Sequence, residues 1–164
     1  MDAKRPMTRR DVARGIAATA AASVLPSPSL AQGAARIVVI GGGFGGANCA
    51  RSLRRLDPKL QVSLIEPNQT FTACPFSNEV IAGMRELPAQ QFTYDKIAAD
   101  GVTAIPQAAA RVDPRARTVT LADGNSLTYD RLVLSPGIDL RFDALPGYDE
   151  AASAKMPHAW KAGE

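Results

Sequence analysis

The sequence predicts an α/β fold in which a parallel sheet is interrupted by a β-meander. Three observations carry that expectation. Ile37–Ile40 is a short, wholly apolar, β-branched run, the pattern of a strand buried on both faces of a parallel sheet. It leads straight into Gly41, Gly43 and Gly46, spaced G-x-G-x-x-G, then into a helical stretch and a second apolar run. Further on, Val119 and Leu121 alternate with Thr118 and Thr120 before Asp123-Gly124, a strong hairpin turn.

The 164 residues, 46% apolar and 21% charged, suit one soluble globular domain rather than two. Residues 1–31 hold Lys4, Arg5, Arg9, Arg10 and Arg14 against Asp2 and Asp11, which is the whole formal charge of +3. The remainder balances 14 basic against 14 acidic side chains, so no basic nucleic-acid surface is expected. The leader has the order of an export signal: a charged start, an alanine-rich apolar stretch Gly15–Leu25, and small residues at Ser29 and Ala31. It is too short and too mild to hold a bilayer. Its Arg9-Arg10 pair resembles the twin-arginine signal, which carries folded proteins, although Asp11 and Val12 depart from the usual pattern. The expected organisation is a signal over 1–31, a periplasmic location, and a folded region over 32–164.

In the folded region, the helix after the glycines runs to about Leu56 and stops at Asp57-Pro58, because proline disfavours helix at the residue before it. Val62–Ile65 is the second strand, ending at Glu66. Gly41 permits the tight turn, Gly43 lets the backbone approach a pyrophosphate, and Gly46 lets helix and strand pack closely. Phe44 lies within the same loop. The helix start offers unpaired N–H groups and a positive dipole end to phosphates. Glu66, 20 residues after Gly46, stands where an acid accepts hydrogen bonds from ribose hydroxyls and repels a ribose phosphate. These features define a Rossmann-like dinucleotide site but do not separate NAD from FAD.

The later chain separates them. A helical patch around Tyr94–Ala99 precedes the meander, which feeds another apolar strand over Arg131–Ser135 and then Pro136-Gly137. "YDRLVLSPG" resembles the second signature of flavoproteins with two dinucleotide-binding domains. That resemblance implies FAD, with its ADP half on the glycine loop, the backbone at Val112 near the adenine, and Gly137 near the cofactor.

Of the two cysteines, Cys49 falls in the helix after the glycines, where a structural role is expected, and Cys74 falls in a loop. Their settings argue against a disulfide. Cys74-Pro75 places the thiol at or near a helix N-cap, since proline favours the first helical position, and such a setting stabilises thiolate over thiol. A sulfur there could be a redox partner of a flavin, a charge-transfer donor, a covalent anchor, or merely structural. His158 is the only histidine, so no metal site is expected, and no C-x-x-C-H haem motif is present.

"CPFSNEVIAG" (Cys74–Gly83), "LSPGIDLRFDALPGYDE" (Leu134–Glu150) and "KMPHAWKAGE" (Lys155–Glu164) together resemble the flavoprotein subunit of flavocytochrome c sulfide dehydrogenase. The resemblance implies a thioether from Cys74 to the flavin 8-methyl group, a sulfur substrate, and a c-type cytochrome subunit that supplies the haem. It also implies that the family's redox-active cysteine pair, its second domain and its later Gly-Asp strand fall outside these 164 residues. The expectation is therefore an N-terminal part of the FAD-binding domain, incomplete at the C-terminus, with no catalytic residue of its own. Two readings stand beside it: an FAD-binding remnant without turnover, and a quinone- or nicotinamide-linked flavin reductase.

Overall fold

The computed structural model describes residues 33–156 and 160. The signal read over residues 1–31, and His158, lie outside the described residues. The chain divides into units 1–33 and 34–164, and the fold below is that of the second.

Strand β1 (Arg36–Ile40) is followed by helix α1 (Phe44–Leu56) and strand β2 (Gln61–Ile65). A two-stranded antiparallel sheet then forms from β3 (Thr70–Thr72) and β4 (Gln91–Thr93), with short helix α2 (Ser77–Ile81) between them. Helix α3 (Asp95–Ala99) leads to β5 (Thr103–Ile105). The meander is β6 (Ala109–Asp113), β7 (Thr118–Leu121) and β8 (Ser126–Thr128), and β9 (Arg131–Leu134) returns to the main sheet. A four-residue helix, α4 (Glu150–Ser153), is capped by Asp149 Oδ1, which accepts the Ala152 N–H at 2.7 Å.

The main sheet has the order β5-β2-β1-β9, all parallel. Its central strand explains the unbroken apolar run. Ile37 and Val39 point into a cluster with Ala50 of α1, Val62, Leu64 and Val102, whereas Val38 points to Val119, Leu121 and Tyr129 of the meander side. One face of β1 is thus covered by α1 and the other by β6–β8, so both side-chain parities must be apolar. Each fully buried Val or Leu contributes about 1.5–3 kcal/mol by leaving water.

The expected strands β1, β2 and β9 appear within one residue of their predicted bounds, and the meander forms around the Thr118–Leu121 alternation. Helix α1 ends at Leu56 as expected but begins at Phe44, inside the glycine motif rather than after it. Strands β3, β4 and β5 carry no usable sequence signal, because at three residues each they are too short for a period to be read.

The amino ends of β1 and β9 are joined by Arg36 and Asp130. The Asp130 carboxylate accepts the Arg36 backbone N–H at 2.8 Å and two guanidinium bonds at 3.2 and 3.0 Å. The Asp130 N–H donates back to the Arg36 carbonyl at 2.8 Å. These bonds hold the Asp130 carboxyl down at about 2, below the roughly 3.9 of an unfolded aspartate. A lowered folded value stabilises the fold above the unfolded value and is lost as pH falls through the folded one. Acid unfolding followed by circular dichroism should therefore steepen between about pH 4 and pH 2. Asp130→Asn should be less stable at neutral pH and lack that part of the slope; an unchanged slope would refute the role.

Candidate functional site

The sheet order reverses direction at β1: its successor β2 lies on one side and β9 on the other. In open parallel sheets such a switch point leaves a crevice at the carboxyl ends of the strands, where ligands bind. The glycine loop fills that position. Gly41 has φ +98°, and its N–H donates to the Ile65 carbonyl at 2.9 Å. A Cβ on Gly41 would lie 2.0 Å from the Ser135 carbonyl oxygen at the end of β9, and one on Gly46 would lie 1.8 Å from the Gly41 carbonyl oxygen. Gly45 faces a side-chain atom and less closely, its would-be Cβ lying 2.9 Å from Ser135 Oγ. The turn, the start of α1 and the end of β9 therefore meet backbone to backbone.

Gly43 is different. It is the N-cap of α1, in extended conformation, and the nearest atom to its would-be Cβ is Phe71 Cε2 at 3.9 Å. No side chain caps the helix and no acid stands in its first turn. The space over Gly43 is one that an anionic group could enter, facing the N–H groups and positive dipole end of a thirteen-residue helix. Phe44, half exposed, sits edge-on to Phe71 with ring centroids 5.0 Å apart, beside this opening.

Glu66 lies at the next strand end. Its Oε2 accepts the Gly42 N–H at 2.8 Å, and its Oε1 accepts both the backbone N–H of Asn68 at 3.0 Å and its side-chain amide at 2.9 Å. The Tyr94 hydroxyl donates to the Gly42 carbonyl at 2.9 Å, so one residue of the loop is held through both its N–H and its carbonyl. Burial, and then the Glu66 charge, push the Tyr94 hydroxyl up to about 12. A cavity of about 370 Å³ opens beside them, lined by Glu66, Asn68, Thr70, Thr93, Tyr94 and Pro106 among others. Gly42, Asn68 and Tyr94 were not legible as site residues. Gly42 belongs to no fixed position of the glycine motif, and Tyr94 reaches the loop from 52 residues away.

Cys74 begins a one-turn 3-10 helix, Cys74–Phe76, that runs directly into α2. Ala73 is the N-cap and Cys74 follows it directly, so the thiol stands near the helix start as expected; the tighter 3-10 turn starts before Pro75 rather than at it. The turn rests on Gln90, whose carbonyl accepts the Ala73 N–H at 2.9 Å and whose side-chain amide donates to buried Ser77 Oγ at 3.2 Å. Both cysteines are free thiols, as expected. Gly137 has φ +79° in the loop after β9. Val112 packs in β6 against the meander-side core and does not line the cavity beside Glu66. Gly41, Gly43, Phe44, Gly46 and Glu66 are thus brought together at the strand ends. Among the described residues no cluster of acidic, histidine or cysteine side chains could hold a metal, and no helix is long and apolar enough to cross a membrane.

Glycines that exclude side chains, an uncapped helix start above open space, and a carboxylate at the second strand end fit the diphosphate and ribose of a dinucleotide. Residues 35–160 match the pyridine nucleotide-disulphide oxidoreductase family. The chain belongs to that family. Within the pyridine nucleotide-disulphide oxidoreductases it is 58% identical over 48 residues to the sulfide dehydrogenase [flavocytochrome c] flavoprotein chain of Chlorobaculum thiosulfatiphilum, covering 29% of this chain and all of that sequence. It is 34% identical over 112 residues to the sulfide-quinone reductase of Aquifex aeolicus, covering 68% of this chain and 26% of that one. The crystal structure of the sulfide:quinone oxidoreductase from Aquifex aeolicus superposes with a TM-score of 0.64, over 66% of this chain and 26% of that one. The chain thus spans about a quarter of the length of these sulfide-quinone relatives. The Rossmann-like FAD-binding fold of the family is the fold observed.

Gly46→Ala should force the loop away from α1 and lower stability by about 1–3 kcal/mol, as overpacking does. Thermal unfolding of the variant checks this; an unchanged midpoint would contradict the contact at 1.8 Å.

Proposed function

We propose that the chain is the FAD-binding part of an exported, sulfide-oxidising flavoprotein whose electrons pass to a c-type cytochrome subunit. The observation that carries this reading is the 58% identity to a flavocytochrome c flavoprotein chain. FAD, when bound, accepts two electrons at once and releases them singly, which is the chemistry needed between sulfide and a haem. The protein's own residues do the holding. The first-turn N–H groups of α1 receive the pyrophosphate, Gly43 leaves room for it, and Glu66 accepts a ribose hydroxyl.

Cys74 is proposed as a covalent anchor. It would hold the flavin through a thioether to the 8-methyl carbon. That bond would replace the thiol S–H and one methyl C–H, an oxidation whose two electrons FAD itself would take up and pass to its ordinary acceptor. A tether of this kind would keep FAD bound while residues 1–31 direct the folded protein across the membrane to the periplasm. A second reading, in which a quinone takes the electrons, is favoured by the 34% identity to a sulfide-quinone reductase.

A denaturing gel of the holoprotein should show flavin fluorescence on the protein band, and Cys74→Ala should abolish it. Fluorescence that persists in the variant would exclude the anchor. In the whole flavoprotein, with the redox-active cysteine pair that the family resemblance implies, sulfide should bleach the bound flavin, and cytochrome c rather than a soluble quinone should restore its colour; the opposite preference would select the second reading. Replacing Arg9 and Arg10 with lysine should retain the protein in the cytoplasmic fraction, and unchanged export would exclude the twin-arginine route.

A further inference from the structure

Glu66 is more heavily engaged than an acid that only awaits a sugar. A carboxylate oxygen accepts two hydrogen bonds through its lone pairs. Both on Oε1 are taken by Asn68, and one on Oε2 is taken by the Gly42 N–H. One acceptor position remains, whereas the adenosine ribose of FAD carries two neighbouring hydroxyls, each a donor.

Tyr94 supplies the second acceptor. Its hydroxyl proton is committed to the Gly42 carbonyl, which leaves its oxygen able to accept, and Tyr94 lines the same cavity as Glu66. The two groups converge on one residue: the would-be Cβ of Gly42 lies 2.4 Å from Tyr94 Oη and 2.7 Å from Glu66 Cγ. The raised hydroxyl, at about 12, keeps that proton in place across ordinary pH. We infer that the ribose diol is divided, one hydroxyl donating to Glu66 Oε2 and the other to Tyr94 Oη. Tyr94 is then a specificity residue of the cofactor site, and its second bond, to Gly42, ties ribose recognition to the glycine loop. This inference rests on the FAD reading above.

The test uses the full chain as Cys74→Ser, so that binding is reversible, with ADP, 2′-deoxy-ADP and 3′-deoxy-ADP competing against FAD on the apoprotein. In this parent each deoxy analogue should bind about fivefold or more weakly than ADP, the loss of one hydrogen bond. Adding Tyr94→Phe should erase one of the two penalties and leave the other. Adding Glu66→Gln should leave the penalty owned by Tyr94 in place. If Tyr94→Phe lowers affinity for all three nucleotides equally and both penalties persist, Tyr94 is only structural and the inference is overturned. If both penalties vanish in Glu66→Gln, Glu66 holds both hydroxyls and the inference is likewise overturned. The Glu66→Gln arm decides alone should Tyr94→Phe not fold by circular dichroism. Failure of the parent to bind FAD at all would instead overturn the functional reading beneath it.

Discussion

The constraint on which the site depends is the absence of side chains where β1, α1 and β9 meet. The Gly41 carbonyl oxygen occupies the place a Cβ on Gly46 would need, and the Ser135 carbonyl occupies the place a Cβ on Gly41 would need. Because backbone touches backbone there, α1 starts immediately beyond the sheet and aims its first turn across the strand ends. The same closeness sets Ser135 beneath the loop, its N–H bonded to the Ile40 carbonyl at 2.8 Å. An anion site at a helix start needs this rigidity, since N–H groups bind only what they are already aimed at.

The surrounding layers serve that junction. Helix α1 and the meander cover opposite faces of β1, which makes the central strand dry and fixes its register to β2 and β9. Helices α1 and α3 are tied by Arg51 and Arg55 to Asp100. Arg51 and Asp100 are partly exposed, so this pair orients the helices more than it stabilises them. Gly42, held through its N–H by Glu66 and through its carbonyl by Tyr94, links the loop to the second strand end and to the cavity beside it.

Much of this was legible in the sequence, and for a physical reason. Strand β1 announces itself because burial on two faces demands an unbroken apolar run, and Gly41 and Gly46 because no other residue fits. The meander is marked by Asp123-Gly124, where Gly124 takes φ +87°. What could not be read depends on long-range approach. Tyr94 carries no local mark of its contact with Gly42, and β3 and β4 are defined by pairing with each other rather than by pattern. Cys74 was legible as a thiol at or near a helix start from Pro75, but the 3-10 turn that makes Ala73 the cap, and the bond from the Ala73 N–H to the Gln90 carbonyl beside it, carry no sequence mark.

The central claim is that the space over Gly43 receives the diphosphate of FAD. Gly43 is the loop glycine where a methyl group meets only Phe71 Cε2, at 3.9 Å, and its extended backbone accepts alanine. Folding then loses no more than about 1 kcal/mol from the weaker N-cap. FAD retention by Cys74→Ser protein carrying Gly43→Ala, measured beside its thermal unfolding without cofactor, tests the claim most directly. The account predicts a nearly unchanged unfolding midpoint together with loss of FAD binding; full retention of FAD by the alanine variant would contradict it.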